Sequence, residues 1–289
     1  MATNITLGEL KTAVCEYWNR EPCDTRYASS LERLSWFQEL ESARYSLEPN
    51  ILKLAQFESA RGQHVLEIGV GAGIDFSRWM RAGAIAVGTD LTSQALVLTR
   101  EYLDLLRVKP DSYRLLQADA EQLQFADESF DIVYAYGVLH HTPNTLAAFR
   151  EALRVLRKGG QLKCMIYHSP SWVALNLWLY HALFKLQPWK SLKTVVFEHL
   201  ESPGTKAYSV SEARELLRQA GCPHCKITLF LGSGDLMQMR LGPKYEKNWI
   251  VKTAHKLYPR RLIRILDGKR ARLGIFMHIE ATKGKLIDS

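Results

Sequence analysis

The sequence predicts an α/β fold built on a doubly wound, mostly parallel sheet, and three observations carry that prediction. Short apolar runs suited to buried strands alternate with stretches of helical length from residue 63 to residue 167. The first run, Val65-Leu66-Glu67-Ile68, opens straight into Gly69-Val70-Gly71-Ala72-Gly73 before a helix begins. The second, Ala84–Thr89, ends on an acid, Asp90. Successive strand–helix–strand units cross over in one hand, so their strands lie parallel and helices cover both faces.

The elements follow in order. Residues 6–18, 30–46 and 48–60 read as helices, with Pro49 in the first turn of the third. Strands are expected at Gln63–Ile68, Ala84–Thr89, Tyr113–Gln117, Phe130–Tyr136 and Gln161–Tyr167. Helices are expected at Ile74–Arg81, Ser93–Arg107 and Thr145–Leu156, and Gly159-Gly160 turns the chain into the fifth strand. The rhythm changes after Tyr167. Residues 170–200 read as one or two helices rich in Trp, Leu and Tyr, and Glu201–Ala207, holding Pro203-Gly204, as a loop. Ser209 with Glu212 three positions on is a capping box for a helix to Ala220, which Gly221 ends. Lys226–Leu231 reads as a strand, 245–268 as basic helix and Gly274–Thr282 as the last strand. Four segments result: a helical cap (1–60), a ligand-binding core (61–168), an apolar helical insertion (169–208), and the end of the core with a basic helical insertion (209–289).

Composition sets the class. Of 289 residues, 47% are hydrophobic and 24% charged, which is ordinary for a globular protein with a sizeable core. The first twenty-five residues carry charges throughout and lack an apolar leader. The most apolar stretch, Trp172–Phe184, is interrupted by Asn176 and His181 and is shorter than the about 20 residues a membrane span needs. A cytoplasmic protein, or one peripheral at a membrane, is the expectation. Five cysteines (Cys15, Cys23, Cys164, Cys222, Cys225) are too scattered for a disulfide framework. Cys222-Pro223-His224-Cys225 has redox spacing, but a helix ends before it rather than starting at it, and no second ligand pair suggests zinc. No metal is expected.

Charge is unevenly placed. From Arg240 onward thirteen basic residues face four acids, a surplus of nine, while the rest of the chain is net −1. Such a segment suits an acidic partner (nucleic acid, an anionic membrane surface or an anionic substrate) or is a solvated helix face.

The glycine turn points to a ligand, because glycines allow φ > 0 and close approach to the backbone at the carboxyl ends of the strands. A nicotinamide or flavin fingerprint needs Gly-x-Gly-x-x-Gly/Ala, and its third position falls here on Ile74. The Gly-Lys-Ser/Thr ending of a Walker loop is absent. Asp90, 21 residues after Gly69, can accept hydrogen bonds from both ribose hydroxyls of a nucleoside, cap the helix near Ser93, or do both. Asp119-Ala120 after the third strand can address an adenine amine, and the fourth strand ends at Gly137 before His140-His141.

With these pieces in place, residues 64–165 resemble the class I S-adenosylmethionine-dependent methyltransferases, in the small-molecule (type 11) branch that includes ubiquinone/menaquinone-biosynthesis enzymes. VLEIGVGAG, GTDLT, ADAEQLQFADESFDIV, GVLHHT and EALRVLRKGG stand in family order and spacing. The resemblance implies a Rossmann-like sheet of seven strands with an antiparallel last strand. It implies S-adenosylmethionine as cofactor and S-adenosylhomocysteine as product. It assigns Glu67, Gly69, Gly71 and Gly73 to the methionine and ribose side, Asp90 to the ribose hydroxyls and Leu91 to the adenine face. Asp119 and Ala120 fall at the adenine edge and Gly137 at the methionine end. The N-terminal helices often form a cap in this family, so Tyr17, Trp18, Tyr27 and Tyr45 become pocket candidates.

Methyl transfer from a sulfonium is an in-line displacement that needs alignment and exclusion of water, and a base only where the nucleophile keeps its proton. His140, His141, Tyr167 and His168 sit on the correct rim as candidate bases, or merely hold a loop. Trp172 and the apolar residues to Trp189 either bury themselves against the sheet or a second copy of the chain, or form a lid over a hydrophobic acceptor. With Tyr27, Tyr45, Tyr167 and Trp172 as substrate contacts, the expected acceptor is small and apolar or aromatic. The alternatives are an RNA methyltransferase using the basic segment, disfavoured by the absence of a recognisable RNA-binding module, and a non-catalytic S-adenosylmethionine-binding protein.

Overall fold

The computed structural model describes residues 6–22, 24–239, 247–267 and 270–284. Cys23, the residues from Arg240 to Glu246, and Gly268 and Lys269 lie outside the described residues. So do parts of the expected basic helix, 245–246 and 268.

Seven strands form one sheet: β1 (His64–Ile68), β2 (Ile85–Asp90), β3 (Tyr113–Gln117), β4 (Phe130–Tyr136), β5 (Leu156–Tyr167), β6 (Cys225–Phe230) and β7 (Phe276–Thr282). Their order is β3-β2-β1-β4-β5-β7-β6. The strands from β3 across to β5 pair in parallel, and β7 runs antiparallel to both β5 and β6. This is the expected seven-stranded sheet with an antiparallel last strand. The order reverses between β1 and β4, so the carboxyl ends of these two strands flank the crevice where ligands bind in such sheets.

The helices α1 (Leu7–Arg20), α2 (Arg33–Leu47) and α3 (Asn50–Ala55) precede the sheet. Thr6 and Glu9 make a reciprocal capping box that starts α1. The third expected helix is two pieces. Gln56 adopts φ +55°, which stops α3, and a separate 3₁₀ turn covers Phe57–Ala60. Helices α4 (Ile74–Ala82), α5 (Ser93–Leu105) and α6 (Thr145–Val155) link the strands. Thr92, not Asp90, caps α5, since its hydroxyl accepts from the Ala95 N–H. Helix α6 passes directly into β5 at Leu156, five residues before the expected start. Phe130 pairs with Leu156 and Ile132 with Gln161, so Gly159-Gly160 sit in a bulge inside the strand and not in a turn before it.

After β5 come α7 (Trp172–Trp178), a π-helical turn at Leu179–Leu183, α8 (Leu192–His199) and α9 (Val210–Gln219). The basic region holds two helices, α10 (Trp249–Leu257) and α11 (Arg260–Asp267). Apolar residues of α6 and α9 pack on one sheet face, among them Phe149, Ala213 and Leu217. Those of α3, α4, α7 and α8 pack on the other, among them Ile51, Trp79, Ala174 and Val196. The cap helices join the sheet layer through Phe37 of α2, stacked on Tyr102 of α5 with ring centroids 4.5 Å apart.

Candidate active site

The glycine turn is built for close approach. Gly69 and Val70 both donate to the Thr89 carbonyl, at 2.7 and 3.1 Å, which folds the end of β1 against β2. Gly69 has φ +79°, and a Cβ there would meet Val138 at 2.3 Å. Gly73, at φ +78°, closes the turn and precedes α4. The Asp90 carboxylate at the tip of β2 accepts from the Gly71 N–H at 3.1 Å and from the Thr92 N–H and hydroxyl at 2.9 and 2.8 Å. Burial raises its pKa despite these donors.

Around this turn lies a cavity of about 140 Å³. Gly69, Gly71, Asp90, Leu91, Asp119, Ala120 and Gly137 all line it. Gly73 and Glu67 do not. Glu67 is buried behind the turn, where burial and the Asp75 charge push its carboxyl well above the usual range. Asp119 brings an unforeseen partner: Lys11 of α1 donates to it at 2.5 Å and to Glu121 at 2.7 Å. Thr92 and Pro143 add to the same wall. The residues present fit an adenosyl cofactor: a carboxylate at a strand tip, an apolar neighbour in Leu91, and a backbone cradle that a Cβ at Gly69 would obstruct.

A second cavity, of about 460 Å³, adjoins the first. Trp18, Pro22, Tyr136, Gly137 and His141 line both, so they mark the joint between them. Its wall is aromatic at Tyr17, Trp18, Tyr136, Tyr167 and Phe276, and aliphatic at Met165, Val173, Leu200 and Ile275. It is also charged at Arg26, Arg44, Glu48 and Glu201. Burial raises the Glu48 carboxyl to about 8. Arg44 is locked by two bonds to Asp75, at 2.9 and 2.6 Å, and one to Asp24 at 3.1 Å. Tyr45 and Tyr134 also donate to Asp75, at 2.9 and 2.8 Å.

At the joint, His141 Nδ1 lies 2.9 Å from the Ser202 hydroxyl and 3.1 Å from that of Thr205. Its Nε2 lies 3.5 Å from Glu201 Oε2, which also accepts from the Tyr167 hydroxyl at 2.8 Å. Burial, then the nearby Lys206 charge, lowers the His141 pKa to about 3, so its ring stays neutral near neutrality. Burial raises the Glu201 carboxyl. Glu201 has φ +52°, a strained setting for a residue with a side chain. It escaped the sequence reading because it sits in a segment that offers only loop chemistry there.

Other candidates lie elsewhere. His140 is fully buried, faces neither cavity, and has no hydrogen-bond partner on either ring nitrogen among the described residues. His168 is buried and bonds the Gly274 carbonyl at 3.0 Å. Of the expected acceptor contacts Tyr27, Tyr45, Tyr167 and Trp172, Tyr167 alone lines the second cavity, and of the further cap candidates Tyr17 and Trp18 both do. Tyr45 is turned to Asp75, and Tyr27 packs against the cluster of Phe37 and Tyr102. The Trp172 indole reaches Asp267 at 3.3 Å, and its neighbour Val173 faces the cavity instead. Burial raises the thiol pKa of both Cys222 and Cys225, the opposite of an activated redox thiol.

Comparison with known proteins agrees with this geometry. Residues 66–164 match the model of a family described as a methyltransferase domain. The chain is 30% identical over 163 residues to a demethylmenaquinone methyltransferase of Tropheryma whipplei, covering 55% of this chain and 66% of that protein. Residues 66–164 are thus a methyltransferase domain, and the chain is similar to the class I S-adenosylmethionine-dependent methyltransferases. It is also 34% identical over 110 residues to a phosphatidylethanolamine N-methyltransferase of Cereibacter sphaeroides, 38% of this chain and 53% of that protein. The chain thus spans about half to two thirds of the length of these curated relatives. A solved methyltransferase-like structure from Bacillus halodurans superposes with a TM-score of 0.54 at 22% identity, over 82% of this chain and all of that one, which is a likeness of fold.

Proposed function

We propose that this protein moves the methyl group of S-adenosylmethionine onto a small organic acceptor held in the second cavity. The observation that carries the reading is the joint. A glycine-turn cavity suited to an adenosyl group opens onto a larger chamber through Trp18, Tyr136, Gly137 and His141. Bound in the first cavity, the cofactor would supply an electrophilic methyl group on a sulfonium whose leaving group is neutral. The chain supplies position and dryness: Asp90 and Leu91 hold the adenosyl end, and the aromatic wall excludes water from the chamber.

The acceptor we infer is mainly apolar or aromatic, with its nucleophilic atom on a polar group. Five aromatic side chains suit a ring or chain, and the Glu201–His141 pair at the joint suits a proton to be removed. The Glu201 carboxylate, made more basic by burial, accepts the proton, and the Tyr167 hydroxyl and neutral His141 beside it hold it in place. This refines the expectation of an apolar or aromatic acceptor, because the wall also carries Arg26 and Glu48.

The test is calorimetric titration with S-adenosylhomocysteine, then transfer of labelled methyl to a panel of aromatic and apolar hydroxyl, amine and carbon acceptors. Micromolar binding with turnover on at least one ring-bearing acceptor is expected. Absence of cofactor binding sinks the reading. Binding with no transfer to any acceptor leaves the non-catalytic alternative in its place.

A further inference from the structure

Helix α11 (Arg260–Asp267) is turned inside out for a surface helix. Its inner face is fixed by polar groups and a single core contact. The Asp267 carboxylate accepts from the Arg272 and Leu273 N–H groups at 2.6 and 2.8 Å, and Arg260 donates to the Leu236 and Met237 carbonyls at 2.9 and 2.8 Å. Ile263 is the buried aliphatic residue between them. Leu262, Ile265 and Leu266, spaced to share one face, stand outward, 52%, 80% and 67% exposed.

The neighbouring elements expose further apolar side chains. The Asn248 amide donates to the Tyr180 hydroxyl and the Asn176 amide to the Tyr258 hydroxyl, both at 2.8 Å, which ties α10 to α7 and its π-helical turn. Trp249 and Leu257 of α10 are exposed, as are Phe184 and Trp189 beyond the turn. Interspersed along the same stretch of sequence are Lys247, Lys252, Lys256, Arg261, Arg264 and Arg270, all exposed. None of the six forms an ion pair among the described residues. The one acid from 247 to 267 is Asp267, which is buried.

We propose that this face docks on an anionic lipid bilayer, with the apolar side chains in the boundary between headgroups and acyl chains and the basic ones on lipid phosphates. The charge pattern selects this occupant. A second copy of the same face would set unpaired cations against unpaired cations. Single-stranded RNA stacks its bases on aromatic rings, whereas the most protruding residues of α11 are aliphatic. Leucine, isoleucine and tryptophan beside lysine and arginine are the composition of a helix lying in a membrane interface. No helix among the described residues is long and apolar enough to cross a membrane, so the contact is peripheral. The proposal stands apart from methyl transfer, although Val173 of the adjoining α7 lines the second cavity.

The experiment is sedimentation of the full chain with vesicles of phosphatidylcholine alone and of phosphatidylcholine mixed with phosphatidylglycerol, at low and raised salt. Binding to the mixed vesicles, weakened by salt, is expected. Ile265→Ser with Leu266→Ser should lower partitioning at least about tenfold, and Arg261→Glu with Arg264→Glu about as much. Unchanged thermal melting by circular dichroism shows that these variants fold. A Trp249→Ala variant, outside α11, provides a second reading should either pair fail to fold. The proposal is overturned by no binding to the mixed vesicles or by binding that all these variants retain. It is equally overturned if the face instead closes a dimer that Ile265→Ser with Leu266→Ser dissolves, or if it retards RNA while ignoring lipid.

Discussion

The two cavities are walled by different kinds of chain. The cofactor cavity is made largely of turns at the tips of β1, β2, β3 and β4, between Ile68 and Pro143, and at Gly69, Gly71 and Gly137 its wall has no side chain to offer but backbone alone. The acceptor cavity gathers side chains from α1, α2, β4, β5, α7, the segment after α8 and the residues around Gly234 and Ile275. A backbone wall needs particular residue types at fixed spacing, because glycine and a strand-tip acid are set by geometry. A wall of converging side chains needs only that each point inward, and many sequences meet that condition. The donor half is therefore constrained locally, and the acceptor half only through the tertiary fold.

Asp75 joins the halves, so its loss should have the largest effect. It lies in the first turn of α4, behind the glycine turn, and clamps Arg44 of the cap helix, which lines the acceptor cavity. Asp75→Ala leaves a buried guanidinium short of its main partner and should cost about 3–5 kcal/mol of stability in urea unfolding. Burial opposes ionisation of Asp75, but Arg44 and the tyrosine hydroxyls outweigh it and hold its pKa below the ordinary value of 3.8. The clamp's contribution is thus complete above the ordinary aspartate range and is lost as pH falls through that lowered value. A variant as stable as the parent at neutral pH would show that Asp75 does not clamp the two halves together.

Glu201 separates the halves by chemistry. Glu201→Gln should lower kcat about a hundredfold while the affinity for S-adenosylhomocysteine stays the same. The parent enzyme should lose activity as pH falls through the raised Glu201 value, and the variant should lose that acid limb. His141 remains neutral down to about 3 and contributes nothing to a limb in the mildly acid range. An acid limb that persists in Glu201→Gln, or a matching loss of cofactor affinity, contradicts a role confined to the acceptor side.

Asp90→Asn is the converse and should be smaller. The carboxylate holds the Gly71 N–H and Thr92, and faces the cofactor cavity. An amide keeps one acceptor oxygen but loses the charge, so S-adenosylhomocysteine affinity should fall about 10- to 100-fold. The acceptor KM at saturating cofactor should hold. An acceptor KM that rises as far as the cofactor Kd would mean that the two cavities do not act separately.

Legibility in the sequence follows the same division. The strands, their parallel order and the acids Asp90 and Asp119 were readable because alternation of apolar runs and strand-tip spacing are local signals. The bulge at Gly159-Gly160 was not, since glycine pairs mark turns and bulges alike until the partner strand is known. Trp172, Tyr27 and Tyr45 have the chemistry of pocket residues, but which way each points is set by Asp267, by the Phe37 cluster and by Asp75, all distant in sequence. Glu201 reaches His141 across 60 residues of chain by way of an apolar insertion, and no spacing rule reports such a meeting.

Lys11 is the gentlest probe, because among the described residues it is the one charged side chain of α1 that lines the first cavity. Its ammonium bridges Asp119 and Glu121 and is partly exposed, so Lys11→Ala should change stability by less than about 1 kcal/mol. A carboxylate has lone pairs for more than one donor, so Asp119 can hold Lys11 and still accept from an adenine amine. Lys11 then acts by fixing the carboxylate's orientation, and its removal should weaken S-adenosylhomocysteine binding about two- to fivefold, an effect that shrinks as salt screens the pair. If Lys11 instead competes with the ligand for Asp119, the variant binds more tightly. The sign of this small change, read by calorimetry at two salt concentrations, decides whether α1 closes the donor cavity or only shares its carboxylate.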